Sequence, residues 1–384
     1  MFKLDDLIVA SIRRVYGSLT NELIGKLAEP PRRLYLRVNT LRISRDELIF
    51  RLRERGVDAK PDSYVEEAIY IELKGPYKVP KLDKVIYVDR NTAESVMMGS
   101  NLYRPGVQKF SSFNKGDEVT VLSPSGEPVA VVETVVSSNE VLGMVKGLVG
   151  INKVSKYRAP PIRELPEYVN GLIYSQSLPS MIATKLLEPV WNDFIVDLNA
   201  APGGKSTHVI QLTGSRVKLL SIDRNMKKCL KMKEEFSRLF TGYNVNIIRM
   251  DSRYLDRDLY GLENRVDKVI IDPPCSALGV RPKTNPSISG RDMLDLRNYQ
   301  YQFLKVASRI VRGNGLILYS TCTLTFDENE YNVLQAVRNL NLEPVEVIQP
   351  PYSEKIRYGE VVAYRYSPLT YDMPGFFISL LRKK

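Results

Sequence analysis

The hydrophobic pattern of the chain changes character near residue 180. Before it, short alternating runs and amphipathic stretches are broken by proline and glycine; after it, nearly continuous apolar runs alternate with helical spacing. In the second half the apolar runs end at Asp197, at Asp223 and at Asp272. Val245–Arg249 leads to Asp251, and a further run covers Leu316–Ser320. Helical periodicity is predicted over 178–187, from about 205, from Met226 and around 293–311. Strands apolar at every position belong to a sheet covered on both faces. The pattern therefore predicts an α/β fold with a mainly parallel sheet and a ligand at the strands' C-terminal ends.

The first half reads differently. Leu4, Leu7, Ile8, Ile12, Val15, Leu19, Leu23, Ile24 and Leu27 keep helical spacing, interrupted near Gly17 and stopped by Pro30-Pro31. Leu34–Val38 alternates as a strand. Ser44 and Glu47 have the spacing of a capping box, for a helix running to Gly56, where glycine suits the left-handed position after a helix. Ile69–Leu73 is a second strand. Residues 1–81 thus form a small α+β unit of RRM-like type, completed by 153–180. From Leu82 to Asn152 short β runs follow one another, with a helix over 91–98 and a hairpin at Ser123-Pro-Ser-Gly126 between Val119–Leu122 and Val129–Val132. This predicts a small β-barrel inserted ahead of an α/β domain spanning 181–384.

Composition narrows the function. The chain has 384 residues, 43% of them hydrophobic, and 23 prolines, which fits two or three folded domains. A net charge of +11 points to a polyanionic partner. No apolar run is long enough to span a bilayer, and Met1-Phe-Lys-Leu-Asp-Asp lacks a signal-peptide core, so a cytoplasmic location is expected. Cys229, Cys275 and Cys322 are far apart and form no C-x-x-C, which argues against a metal site or a disulfide scaffold. The single histidine, His208, leaves little for a serine-hydrolase triad, and a packed structural role is expected of it. Lys153, Lys156 and Arg158 fall in a stretch free of acidic residues, readable as a solvated linker or as a phosphate-contacting strip.

The segment Phe194–His208 reads as strand, tight glycine turn and helix N-terminus. Its loop is Asn199, Ala200, Ala201, Pro202, Gly203, Gly204 and Lys205. Three ligands compete for it. A nucleotide phosphate loop fits Gly204-Lys205-Ser206 but needs glycine where Asn199 stands. A dinucleotide fold needs G-x-G-x-x-G, which is absent. S-adenosylmethionine needs close backbone approach without a phosphate cradle, and its amine, ribose and adenine suit Asp197, Asp223 and Asp251. Lys228, just after Asp223, joins this cofactor-binding set.

Two cysteines also sit at strand ends, Cys275 after Asp272-Pro273-Pro274 and Cys322 within Ser320-Thr-Cys-Thr323. The two prolines stiffen the turn and remove N–H donors. Cytosine C5 is too weak a nucleophile to take a methyl group from a sulfonium directly. A thiolate added at C6 makes it nucleophilic, and a second thiol can help remove the C5 proton and release the product.

Together the loop 199–205, Asp223, Asp251, Asp272-Pro-Pro-Cys-Ser276 and Ser320-Thr-Cys-Thr323 resemble the Nop/Sun family of RNA cytosine-5 methyltransferases. Leu36–Leu41 resembles that family's N-terminal segment, and Pro368 with Gly375-Phe-Phe377 its closing strand. Asn199 and Pro274 depart from the residues common there, Cys and Ala, without removing a reacting group. Val88-Asp89, Ala93-Glu94, Gly99, Tyr103–Val107 and Lys115–Val119 resemble a PUA domain, a module that binds structured RNA. The resemblance implies a Rossmann-like methyltransferase domain using S-adenosyl-L-methionine. It implies tRNA as substrate, at the cytosine numbered 72 near the acceptor end, and no obligate protein partner. By analogy with DNA cytosine methyltransferases Cys275 would attack. The RNA family instead implies Cys322 as nucleophile, Cys275 as helper in release, Asp272 on the cytosine amino edge and Lys205 near the base. Tyr103, Lys153, Lys156 and Arg158 are candidate RNA contacts. An RNA-binding assembly factor with an inactive methyltransferase fold, and a phosphate-loop NTPase, are the competing readings.

Overall fold

The computed structural model describes residues 3–239, 245–284 and 286–384. Its largest sheet runs in the order Val245–Arg249, Lys218–Asp223, Phe194–Asp197, Val266–Ile271, Val311–Thr321, Phe376–Lys383, Val361–Tyr366 and Glu354–Tyr358. The first five strands are parallel and the last three antiparallel, with Leu342–Pro344 also pairing to Phe376–Lys383. The apolar runs are explained by burial on both faces. Ile195, Leu219, Ile270 and Leu318 enter a core with the helices Leu178–Leu186 and Gly204–Leu212. Their neighbours Val196, Leu220, Val269 and Ile317 enter a second core with the helix Gly290–Ile310. Chain order reverses between Phe194–Asp197 and Val266–Ile271, the place where open α/β sheets leave a crevice.

A four-stranded antiparallel sheet comprises Ile173–Ser175, Arg33–Val38, Ala68–Glu72 and Ala59–Pro61. Beside it the helix Arg45–Glu54 starts at Ser44, whose hydroxyl accepts from the Glu47 amide. The reciprocal half of the expected capping box is not made: the Glu47 carboxylate turns to Arg51 at 2.5 Å. Gly56 does take the left-handed conformation, with φ +78°. The helices Asp6–Tyr16 and Thr20–Lys26 share no core with this sheet. Their Ile8, Ile12 and Leu23 pack against Leu278, Met293 and Leu324 of the large domain.

The inserted module is a six-stranded sheet with its own core, in the order Leu102–Tyr103, Leu148–Ser155, Pro128–Thr134, Glu118–Leu122, Val85–Val88 and Val107–Phe110. The hairpin forms as its turn residues predict, with Gly126 at φ +82° and its amide on the Ser123 carbonyl. Among the described residues, no helix is long and apolar enough to cross a membrane.

The small sheet meets the large domain through buried polar groups. Arg37, 1% exposed, donates to Gln176, to the Gly204 carbonyl and to Thr207. His208 Nε2 lies 2.8 Å from Glu67 Oε1, and Lys185 reaches the other Glu67 oxygen at 3.0 Å. Burial pushes the His208 pKa down to about 4, so its ring is neutral and donates to Glu67. The histidine holds two units together.

Candidate active site

Ile271 is in register with Tyr319, so the residues following the two parallel strands emerge side by side. On one come Asp272, the two prolines and Cys275; on the other Ser320, Thr321 and Cys322. The two sulfurs stand 3.3 Å apart. A lattice of polar bonds behind them fixes that approach. Ser276 Oγ lies 2.5 Å from Thr323 Oγ1, and both face the carboxylate of Glu328. Glu328 is fully buried and accepts from the Ser276 amide at 2.8 Å, Ser276 Oγ at 2.6 Å, Thr325 Oγ1 at 2.8 Å and Gln300 Nε2 at 3.0 Å. Gln300 Nε2 also reaches the Pro274 carbonyl.

A backbone relay adds to this. The Gly279 amide donates to the Cys322 carbonyl at 2.9 Å, and the Gly375 amide to the Gly279 carbonyl at 2.8 Å. A Cβ on Gly279 would sit 2.1 Å from the Gly375 oxygen, so only glycine permits the approach. Arg365, 1% exposed, pairs with Glu330 at 2.6 Å and donates to the carbonyls of Leu324 and Thr325, holding the loop after Cys322. Sequence reading passed over Gln300, Glu328, Glu330 and Arg365, because a buried polar or charged group has the same letter as an exposed one.

The Cys275 thiol is pushed up, first by its hydrogen bond with Cys322, then by burial and by its electrostatic coupling to Cys322 and Glu328. Lys205, 5% exposed, sets its ammonium 2.5 Å from Asp272 Oδ2. Ser320 Oγ is 3.4 Å from the other Asp272 oxygen. The lysine of the supposed phosphate loop is thus paired with the carboxylate at the end of the neighbouring strand.

Beside the cysteines a cleft of about 390 Å³ opens at the strand ends. Asn199, Ala201, Asp223, Lys228, Asp251 and Asp272 line it, with Cys275 and Cys322 at one end. Of the other predicted cofactor residues, Ala200, Pro202, Gly203, Gly204 and Lys205 shape the loop from behind. Ala200 is buried and Gly203, φ +105°, caps the helix Gly204–Leu212. Asp197 lies beneath the loop, 1% exposed, accepting from Ser206 Oγ at 2.7 Å. The Asp251 carboxylate is gripped by Arg253 at 2.6 and 2.9 Å, which lowers its pKa. Tyr299 and Phe303, not foreseen, add ring surface to the cleft.

The cleft fits S-adenosylmethionine. It falls in the size range of small-molecule sites, ~300–1,000 Å³. It joins carboxylates for hydroxyl and amine donors to rings for a base. The buried Asn199 Oδ1 has no hydrogen-bond partner among the described residues, which leaves an acceptor for a donor of the ligand.

The candidate RNA contacts lie on and beside one strand of the inserted module: Tyr103 belongs to the strand paired with Leu148–Ser155, and Arg158 donates to the Lys153 carbonyl at 3.5 Å. Tyr103 is 52% exposed. Lys153 pairs with Glu133 and Lys156 with Glu127, each at 2.6 Å, so acids from elsewhere in the module neutralise a strip free of them in sequence. Arg158 is exposed.

A parallel sheet with a cofactor cleft and two touching thiols at its strand ends defines an S-adenosylmethionine-dependent methyltransferase of the cytosine-C5 type. Known proteins agree. Residues 184–382 match the 16S rRNA methyltransferase RsmB/F family, residues 84–153 the PUA domain, and residues 6–79 the ferredoxin-like domain of RsmF/B-like methyltransferases. The chain is 36% identical to a tRNA (cytosine(72)-C(5))-methyltransferase of Pyrococcus horikoshii, over 97% of this chain and 96% of that protein. It is 26% identical to mouse tRNA (cytosine(72)-C(5))-methyltransferase NSUN6, over 89% of this chain and 79% of that protein. The crystal structure of NSun6 from Pyrococcus horikoshii with SFG, the cofactor analogue sinefungin, superposes with a TM-score of 0.90 at 35% identity, covering 99% of this chain and 98% of that one. The chain belongs to the RsmB/F family of RNA (cytosine-5)-methyltransferases, and its cofactor is S-adenosyl-L-methionine.

Proposed function

We propose that this chain methylates C5 of cytosine 72 of tRNA through a covalent bond between Cys322 and C6 of the base. The observation that carries the reading is the 3.3 Å approach of Cys275 and Cys322 beside the cofactor cleft. The relatives covering nearly the whole chain carry that tRNA activity in their names.

S-adenosylmethionine supplies an electrophilic methyl group on its sulfonium. The Cys322 thiolate adds to C6, and the ring electrons that shift to C5 make that carbon nucleophilic. Asp272, held by Lys205, accepts from the cytosine amino group and fixes the ring. After methylation C5 carries both a proton and the methyl group. Loss of that proton drives out Cys322 and restores the aromatic ring. Cys275 assists this release. Its thiol is raised mainly by Cys322, and a Cys322 bonded to carbon is neutral and no longer a hydrogen-bond partner for a thiolate. Adduct formation therefore lowers the cost of ionising Cys275 when a base is needed. Asp223 and Asp251 would take the cofactor's ribose and adenine, with Asn199, Ala201 and Lys228 along the same wall and residues 200–204 forming the turn.

The proposed division is 1–81 with 153–180, then 82–152, then 181–384, corrected at two edges: Lys153–Ser155 finish a strand of the inserted module, and the helices Asp6–Tyr16 and Thr20–Lys26 pack on the large domain. Tyr103, Lys153, Lys156 and Arg158 stay as proposed RNA contacts, with cytoplasm as the proposed location. The test is bisulfite sequencing of tRNA after incubation with protein and cofactor. Protection of cytosine 72, absent with Cys322→Ala, is expected; protection at another cytosine would overturn the site assignment.

A further inference from the structure

Away from the cysteines, two cavities share the side chains Arg32 and Arg33. One, about 290 Å³, is closed by Tyr35, Tyr352, Tyr371, Asp372 and Met373. The other, about 640 Å³, extends past Pro30 and Pro31 to Tyr157 beside the inserted module. The first is built from aromatic rings in fixed orientation. Tyr64 stands edge-on to Tyr352 at 5.2 Å, and Tyr352 to Tyr371 at 5.9 Å. Asp62, 3% exposed, anchors the set by accepting from Tyr352 OH at 3.2 Å, Tyr35 OH at 3.3 Å and the amides of Tyr64 and Val65 at 2.9 Å.

Despite this anchoring, Tyr64 is 68% and Tyr371 48% exposed, so both side chains are accessible from solvent. Tyr352 and Asp372 hold left-handed backbone, φ +61° and +53°, a conformation costly for residues with a Cβ and concentrated at functional sites.

The charge of the groove is as telling. The guanidinium of Arg33 lies 4.4 Å over the Tyr70 ring. Neither Arg32 nor Arg33 has a carboxylate within ion-pair distance among the described residues. The acids nearby are already matched: Asp372 with Arg281 at 2.7 Å, Glu72 with Lys60 at 3.2 Å and Glu29 with Lys26 at 3.6 Å. The wall also leads to the reacting centre. Residues 371–375 run from Tyr371 to Gly375, whose amide bonds Gly279, which in turn bonds Cys322.

We propose that this tyrosine–arginine groove holds an unpaired stretch of the RNA substrate, with bases stacked on Tyr64 and Tyr371 and phosphates on Arg32 and Arg33. Exposed rings beside guanidinium groups that have no carboxylate partner are the chemistry that holds single-stranded nucleic acid. The inference rests on RNA being the substrate and names where a segment flanking the target base is held.

The test is fluorescence anisotropy of the full chain with a short unpaired oligoribonucleotide, beside a duplex RNA of equal length. Tyr64→Ala/Tyr371→Ala should weaken unpaired-RNA binding about ten-fold or more, with duplex binding little changed. Tyr64→Phe/Tyr371→Phe should restore it, since the ring and not the hydroxyl does the stacking. Arg32→Gln/Arg33→Gln should flatten the dependence of log K on log salt by about 1.4, or ~0.7 for each phosphate no longer neutralised. With tRNA, the alanine pair should raise KM and leave kcat at saturation unchanged. Alanine variants that bind unpaired RNA like the parent, or phenylalanine variants as weak as alanine, would overturn the groove. Weakening by the arginine changes alone would reduce it to a charged patch and sink the stacking. Should the parent fail to methylate cytosine 72, the functional reading falls by itself, and the oligonucleotide titration still decides the groove.

Discussion

Lys205 Nζ lies 2.5 Å from Asp272 Oδ2, joining the first turn of the helix behind the cofactor loop to the end of the strand that carries Cys275. The ammonium is 5% exposed and the carboxylate 37%, so the lysine is a buried support for a group that faces the substrate. Lys205→Met should cut methyl transfer at least ten-fold by freeing Asp272 to swing away from the base. Cofactor affinity should change little, because Lys205 does not line the cleft. Lys205→Arg should not rescue, since a wider guanidinium has no room at a site this closed. Single-turnover methyl transfer and calorimetric cofactor titration separate the two effects; a Lys205→Met protein with normal turnover would remove the lysine from the mechanism.

Cys275→Ala should leave addition and methylation possible and slow release. With tRNA and cofactor it is expected to accumulate an RNA–protein species that survives denaturing electrophoresis, while Cys322→Ala gives none. The reverse outcome, a trapped species with Cys322→Ala only, would exchange the roles of the two thiols.

These thiols were legible in the sequence for a simple reason. A strand buried on both faces is written as an unbroken apolar run, so the first polar letters after it mark the ligand side of the sheet. Asp223, Asp272 and Cys322 were found that way. His208 was also read correctly as packed. The supports were not legible. Arg37 bonds Thr207 across 170 residues and Arg365 meets Glu330 across 35, and nothing local marks either as buried. The antiparallel strands Glu354–Tyr358 and Val361–Tyr366 were missed; the first carries three charges in five residues, like a solvated loop. The charge balance of the Lys153–Arg158 strip was not legible either, since the acidic partners of Lys153 and Lys156 come from a neighbouring strand and a turn.

Glu328 offers the sharpest test of the lattice behind the sulfurs. Glu328→Ala strands the Ser276 amide, the Gln300 amide and two hydroxyls in a dry site, at ~1–3 kcal/mol for each donor left unmade. A clear fall in melting temperature and loss of methyl transfer are expected together. Glu328→Gln keeps one carbonyl for the two N–H donors, and its amide can face the hydroxyls of Ser276 and Thr325, which rotate to accept. It should retain most stability and part of the rate. Equal damage from Gln and Ala would show that the carboxylate's charge, and not its bonding pattern, is what the site requires.

Asp197 carries the pH prediction. Burial pushes its pKa up from 3.8 to about 6, with the Ser206 hydrogen bond and the Lys205 charge pulling the other way. A folded pKa above the unfolded one means the native state binds the proton more tightly between these values. The group's contribution to stability is then fully present below pH 3.8 and is lost as pH rises through about 6, at roughly 1.4 kcal/mol for each unit of displacement. His208, with its pKa lowered to about 4, works in the opposite sense over much of the same range, so the parent protein shows only the difference. Asp197→Asn isolates the first group. The amide oxygen can still accept from Ser206, and no charge has to be buried beneath the cofactor loop. Thermal unfolding from pH 4 to pH 7 should show Asp197→Asn gaining on the parent steadily up to about pH 6 and holding its lead above it. Parallel stability curves across that range would mean that the carboxylate keeps its ordinary affinity for protons, and that the loop rests on a charge the fold has already solvated.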